Sequence, residues 1–175
     1  MIVNAIGRAV AAAFIAALIG AACSALFYAW HPAFAIEFDR DLPRTVSGIY
    51  GPERDSATGR TFAWMGQDAV IRLPGLDRRA DWTLSLRLRG ARAAPTPDPE
   101  ITILVDGVSL ETRATGPEFA DVEVVIPKRP DRRGLTLGLH SSAAFVPGPG
   151  DPRSLGLMID RLSIAPSGIV LVPRP

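Results

Sequence analysis

From Ala9 to Trp30 the chain reads AVAAAFIAALIGAACSALFYAW, 22 consecutive residues without a charge. As a helix this run is about 33 Å long at roughly 1.5 Å per residue, enough for a bilayer core of about 30 Å. It predicts a transmembrane helix over 9–30, residues 1–8 in the cytoplasm, a juxtamembrane linker over 31–47 and an extracytoplasmic domain over 48–175. Arg8 is the only side-chain charge before the run, whereas Glu37, Asp39, Arg40 and Asp41 follow it, so the basic-side bias keeps the amino terminus inside. Tyr28 and Trp30 suit the outer interfacial belt. The expected location is therefore the cytoplasmic membrane, single-pass, with the larger part of the chain in the periplasm or outside. A cleaved signal peptide competes with this, because Ala33-Phe34-Ala35 has the small-x-small form of a cleavage site. A signal core, however, is about 7 to 15 residues long, and this run is longer.

The run also sorts its side chains. Ala12, Ala16, Gly20 and Ser24 fall on one i, i+4 line, and Ala13, Ala17 and Ala21 fall on the line beside it. Phe14, Ile15, Leu18, Ile19, Leu26 and Phe27 occupy the opposite face. A small face lets helix backbones approach closely, which in lipid is a main source of association. These seven small residues are the expected packing surface toward integral-membrane partners. Cys23, the only cysteine, makes no internal disulfide, so the outer domain must cohere by core packing.

Beyond the run the charges nearly cancel. The chain holds 19 basic and 18 acidic residues, and no acidic residue precedes Glu37. With no Lys/Arg-rich stretch to release counterions, nucleic acid is excluded as a partner. After Pro43 no segment keeps a 3.6-residue apolar period, while several alternate with period two. Trp82, Leu84, Leu86 and Leu88 point one way and Thr83, Ser85, Arg87 and Arg89 the other. Ile101, Ile103 and Val105 alternate up to Asp106-Gly107, after which Val108, Leu110 and Thr112 resume, predicting a hairpin with a two-residue primed turn. Further strands are expected at 61–65, 69–73, 119–126, 135–140 and 154–164, and Ile169 to Val172 could add an edge strand or return toward the bilayer. The fold expected is all-β, an antiparallel jelly-roll-like sandwich of about eight strands on a single helix.

Chemistry is sparse. Two histidines, His31 and His140, cannot build a His-rich metal site, and no cysteine cluster exists. Ser141 and Ser142 adjoin His140, but sequence neighbours on a strand end rarely face each other, so no nucleophilic triad is expected. Nothing in the spacing of Glu53, Asp68, Glu100, Asp151 and Asp160 selects a catalytic carboxylate pair. There is no phosphate-binding loop and no dinucleotide fingerprint. Catalysis, cofactors and a dedicated metal site are thus not expected, although a lone calcium ion held by Asp side chains and turn carbonyls stays open.

Two clusters still stand out. Gly48-Ile49-Tyr50-Gly51-Pro52-Glu53 leads into Phe62-Ala63-Trp64-Met65-Gly66 and then Leu73-Pro74. Later come Phe145-Val146-Pro147-Gly148, Asp151-Pro152-Arg153-Ser154-Leu155-Gly156 and Asp160-Arg161. This order, over about residues 48–164, resembles the extracytoplasmic β-sandwich domains of bacterial polytopic membrane glycosyltransferase-like proteins. The resemblance implies a non-catalytic jelly-roll-like domain beside a membrane machine, in contact with glycan. This chain departs from them in having one helix and no catalytic loop, so any transferase activity would belong to another protein.

Two roles fit the clusters. Tyr50 and Trp64 could stack on a sugar ring, with Glu53 accepting and Arg153 donating hydrogen bonds to its hydroxyls. Alternatively, Trp64 and Trp82 anchor the core, and Arg153 pairs with a carboxylate to pin the loop from Phe145 to Pro152 across the end of the sandwich. At the level of function the expectation is an accessory subunit, its helix packed into a larger integral-membrane complex and its sandwich bracing that complex outside. The alternative is a membrane-tethered carbohydrate-binding module partnering an envelope glycosyltransferase.

Overall fold

A computed structural model describes residues 2–30, 34–56, 58–90, 92 and 95–167, with the helix side chains described over 10–26. The chain divides into two compact units, Met1–Ala33 and Phe34–Pro175. The first is one helix, α1 (Ile2–Trp30), which starts seven residues before the uncharged run. Its small residues Ala12, Ala13, Ala16, Ala17, Gly20, Ala21 and Ser24 are exposed, as are Phe14, Ile15, Leu18 and Ile19 opposite them. Among the described residues no helix is long and apolar enough to cross a membrane, which corrects the expected span. The described side chains of the helix are those of residues 10–26. Those of Tyr28 and Trp30, the expected outer belt, lie outside the described residues, as does the tail from Ile169 to Val172.

The second unit is an antiparallel β-sandwich. Its strands are β1 (Phe34–Glu37), β2 (Val46–Arg54), β3 (Thr61–Asp77), β4 (Trp82–Arg89), β5 (Glu100–Val105), β6 (Val108–Ala114), β7 (Ala120–Ile126), β8 (Arg133–Ser141) and β9 (Met158–Pro166). They pair in the order β6-β5-β8-β3-β9-β4-β7, with β1 added to β9 and β2 to β3. β3 folds this path into two layers. Its start pairs with β9 through Ala63↔Ile159 and Trp64↔Met158. From Asp68 onward it pairs with β8 instead.

Alternation explains which face each strand buries. On β4, Trp82, Leu84, Leu86 and Leu88 are buried and the residues between them are not. They meet Leu162 and Ile164 of β9 and Val124 and Ile126 of β7 in one core with Ile71, Ile101, Ile103, Leu137 and Leu139 of the other layer. Each such side chain contributes roughly 1.5–3 kcal/mol on leaving water. The β5–β6 hairpin forms as its sequence predicts: Asp106 and Gly107 have φ of +52° and +83°, both positive as a type I′ turn requires. The Asp106 carboxylate then turns inward, accepting from Arg78 Nη1 at 2.9 Å and from the Thr136 N–H at 3.0 Å. Arg78 is fully buried and also donates to the Pro127 carbonyl at 3.2 Å, tying the hairpin to the loop after β7.

Three expectations change. The segment read as a linker, 31–47, supplies β1, whose Ile36 is buried and pairs with Leu162, and also supplies the buried Phe38. The strands expected at 61–65 and 69–73 are one 17-residue strand. The strand expected from Ser154 begins only at Met158, because Leu155 bridges back to Phe145 and closes a loop instead.

Candidate functional site

The early and late sequence clusters meet at one end of the sandwich. β2 runs antiparallel to β3, placing Glu53 opposite Phe62. The Phe145–Leu155 bridge sets the late loop beside them. Arg153 donates from Nη1 to Glu53 Oε1 at 2.6 Å and from Nη2 to Asp151 Oδ2 at 2.6 Å, and its guanidinium carbon stands 5.3 Å from the centre of the Tyr50 ring. The Tyr50 hydroxyl donates to the Ser154 carbonyl at 3.2 Å. Hydrogen bonds donated to Asp151 and Glu53 raise the Arg153 pKa above its ordinary value, and the Arg153 guanidinium holds the Asp151 carboxyl below the usual carboxylate range. Glu53, Tyr50 and Arg153 are therefore one assembly, and Arg153 pins the loop from Phe145 to Pro152 as the second of its two roles requires.

Trp64 is part of the same assembly but not of its surface. It is buried with Phe62, Leu155 and Met158 in a second core cluster, apart from Leu84 and Leu137. It meets Phe62 edge-on at 6.3 Å and Phe145 edge-on at 5.8 Å. A ring so enclosed cannot stack on a sugar, which corrects its expected contact. What Trp64 does instead is support half-buried rings, since Tyr50, Phe119 and Phe145 all pack on this cluster. Each carries a guanidinium over its face: Arg153 for Tyr50, Arg89 at 4.8 Å for Phe119 and Arg92 at 4.2 Å for Phe145. Burial lowers the Arg92 pKa from its ordinary value. Arg92 and Phe119 were not singled out from sequence. Arg89 reads as one more outward residue of a strand, and only the fold sets Phe119 across from it.

The remaining chemical candidates stay apart. His140 Nδ1 lies 2.8 Å from Asp68 Oδ1, while Ser141 donates to the Ala143 carbonyl and Ser142 accepts from the Glu100 N–H, so neither serine engages the imidazole. Among the described residues no group of three or more His, Cys, Asp or Glu could hold a metal ion.

No family model matches the chain, and no curated protein matches it. Solved structures do. A family 35 carbohydrate-binding module from an environmental isolate overlaps 81% of this chain and 99% of its own, with a TM-score of 0.49 at 16% identity. The family 35 module of Cellvibrio japonicus Abf62 covers 76% and 92%, with 0.48 at 15%. A Podospora anserina β-(1,4)-mannanase carrying such a module gives 0.46 at 14%, this chain covering 82% of itself but only 28% of that enzyme. At TM-scores below 0.5 these are likenesses of outline and carry no function across. The class that the fold itself defines is a jelly-roll-like antiparallel β-sandwich. Neither the comparisons nor the structure supports kinship with the glycosyltransferase-associated domains in particular, nor a subunit role in a membrane complex.

Proposed function

We propose that the sandwich is a glycan-binding module. One observation carries the reading: Tyr50, Phe119 and Phe145 are half-buried rings set on the rigid Trp64 cluster, each within reach of a guanidinium, with Glu53 and Asp151 beside Arg153. A sugar ring presents C–H bonds on its faces and hydroxyls on its rim. The C–H faces suit the negative face of an aromatic ring. The hydroxyls suit adjacent donors and acceptors, which few convergent polar groups can supply with defined orientation. A surface needed only for stability has little use for this pairing, since exposed ion pairs contribute about 0–1 kcal/mol.

The test is calorimetric titration of the full chain, in a detergent without a sugar headgroup, against neutral and acidic oligosaccharides. Tyr50→Ala and Arg153→Ala should each weaken binding about tenfold, the equivalent of about 1.4 kcal/mol, with the melting transition retained. Binding untouched by both substitutions, or no binding by the unmodified chain, overturns the reading.

A further inference from the structure

The period of β9 breaks at one place. Met158 and Ile159 are buried and so are Leu162 to Ala165, but Asp160 and Arg161 are consecutive and both reach solvent. The pairing with β4 shows why: Arg87 lies opposite Arg161 and Leu88 opposite Ile159, so Asp160 is the extra residue of a β-bulge. A bulge re-aims a side chain that strict alternation would bury. Here it adds Asp160 to a row of outward charges that crosses four strands: Glu37 of β1 opposite Arg161, Arg161 opposite Arg87, and Arg87 opposite Asp121 of β7.

Against this row lies a cleft of about 200 Å³ lined by Glu37, Phe38, Asp39, Arg60, Thr61, Asp160 and Arg161. At about 30 Å³ per water it holds roughly seven waters, room for one small polar group. The arginines on its walls are held only in part, although Arg60 also stands over the Phe119 ring at 5.8 Å. Arg60 reaches Asp160 at 3.6 Å, and Arg161 reaches Asp121 at 3.7 Å, both longer than a hydrogen bond. Their forks therefore keep N–H donors to offer a ligand.

The charges narrow what that ligand is. Two guanidiniums and three carboxylates line the cleft, so an anion meets no net positive charge there. No group of carboxylates among the described residues could hold a metal ion. What matches interleaved donors and acceptors in a cleft with one more carboxylate than guanidinium is a neutral polyol, not an anion. We propose that the cleft at the β9 bulge is a second carbohydrate subsite, which grips the hydroxyls of a neutral sugar through Arg60, Arg161 and Asp160. This rests on the chain being a glycan-binding module.

The experiment isolates the cleft by working in the Tyr50→Ala/Arg153→Ala double variant of the full chain, titrated with xylohexaose, mannohexaose and laminarihexaose. One site should remain, and adding Arg60→Ala or Arg161→Gln should weaken it at least tenfold. Arg60→Lys, which keeps charge and fold but not the planar fork, should weaken it too. Loss of all binding in the double variant, or residual binding indifferent to the three arginine substitutions, overturns the second subsite while leaving the first. Absence of binding in the unmodified chain overturns both.

Discussion

Arg153 and Glu53, one hundred residues apart in sequence, meet at 2.6 Å and close the end of the sandwich between β2 and the loop before β9. Because both side chains are about one third exposed, the pair itself is worth at most about 1 kcal/mol, and its effect is on the loop. Glu53→Ala should leave the melting temperature nearly unchanged while speeding proteolytic cleavage within 145–152. Cleavage at the unmodified rate would mean that the Phe145–Leu155 bridge holds the loop unaided.

The hairpin clamp predicts an acid sensitivity. Burial opposes the charge on Asp106, but the Thr136 N–H and Arg78 outweigh it, so its carboxyl is held below the usual range. A group depressed in the folded state adds stability above its unfolded pKa of about 3.9 and loses it as pH falls through the folded value. Melting temperature should therefore drop as pH falls below about 4, and Asp106→Asn should start lower at pH 7 and fall less steeply. Parallel pH profiles for the two proteins would remove Asp106 from the acid transition.

Leu137 sits in the middle of the main core with no exposed surface. Leu137→Ala should cost about 2–5 kcal/mol in denaturant unfolding, lost transfer energy plus the cavity left behind. Val125, more than half exposed on β7, should cost less than about 0.5 kcal/mol on the same change.

At Gly48 the backbone has a φ of +77°, and an added Cβ would land on the Asp68 carbonyl oxygen and 2.8 Å from Ala69 Cα. Gly48→Ala should cost more than the roughly 1–2 kcal/mol of the left-handed conformation alone, because the β2–β3 pairing must also shift. A smaller loss by chemical denaturation would show that β2 gives way without disturbing β3.

The strands of the core were legible because their side chains alternate strictly, and Asp106-Gly107 announced its turn by residue type. β1 was not, since four residues with a single buried member carry no period. Nor was the unity of β3: Gly66 and Gln67 read as a break, and only its two partners, β9 first and β8 later, show that the strand continues. At the candidate site the sequence named Tyr50, Glu53 and Arg153, but it could not tell that Trp64 would be roofed by Phe62, Leu155 and Met158. Asp160 and Arg161 were visible as a motif. Their shared orientation was not, because it depends on a bulge set by the register of a neighbouring strand.

β9 takes β1 on one side and β4 on the other, Phe34 and Trp82 both answering to residues within 164–166. A late strand thus supplies the hydrogen-bond partners for a much earlier one. A nascent chain emerging amino end first carries the apolar row from Trp82 to Leu88 with one edge open until nearly 80 further residues have followed. Such long-range closure is slow, and until β9 docks the apolar row stays open to aggregation and to proteases.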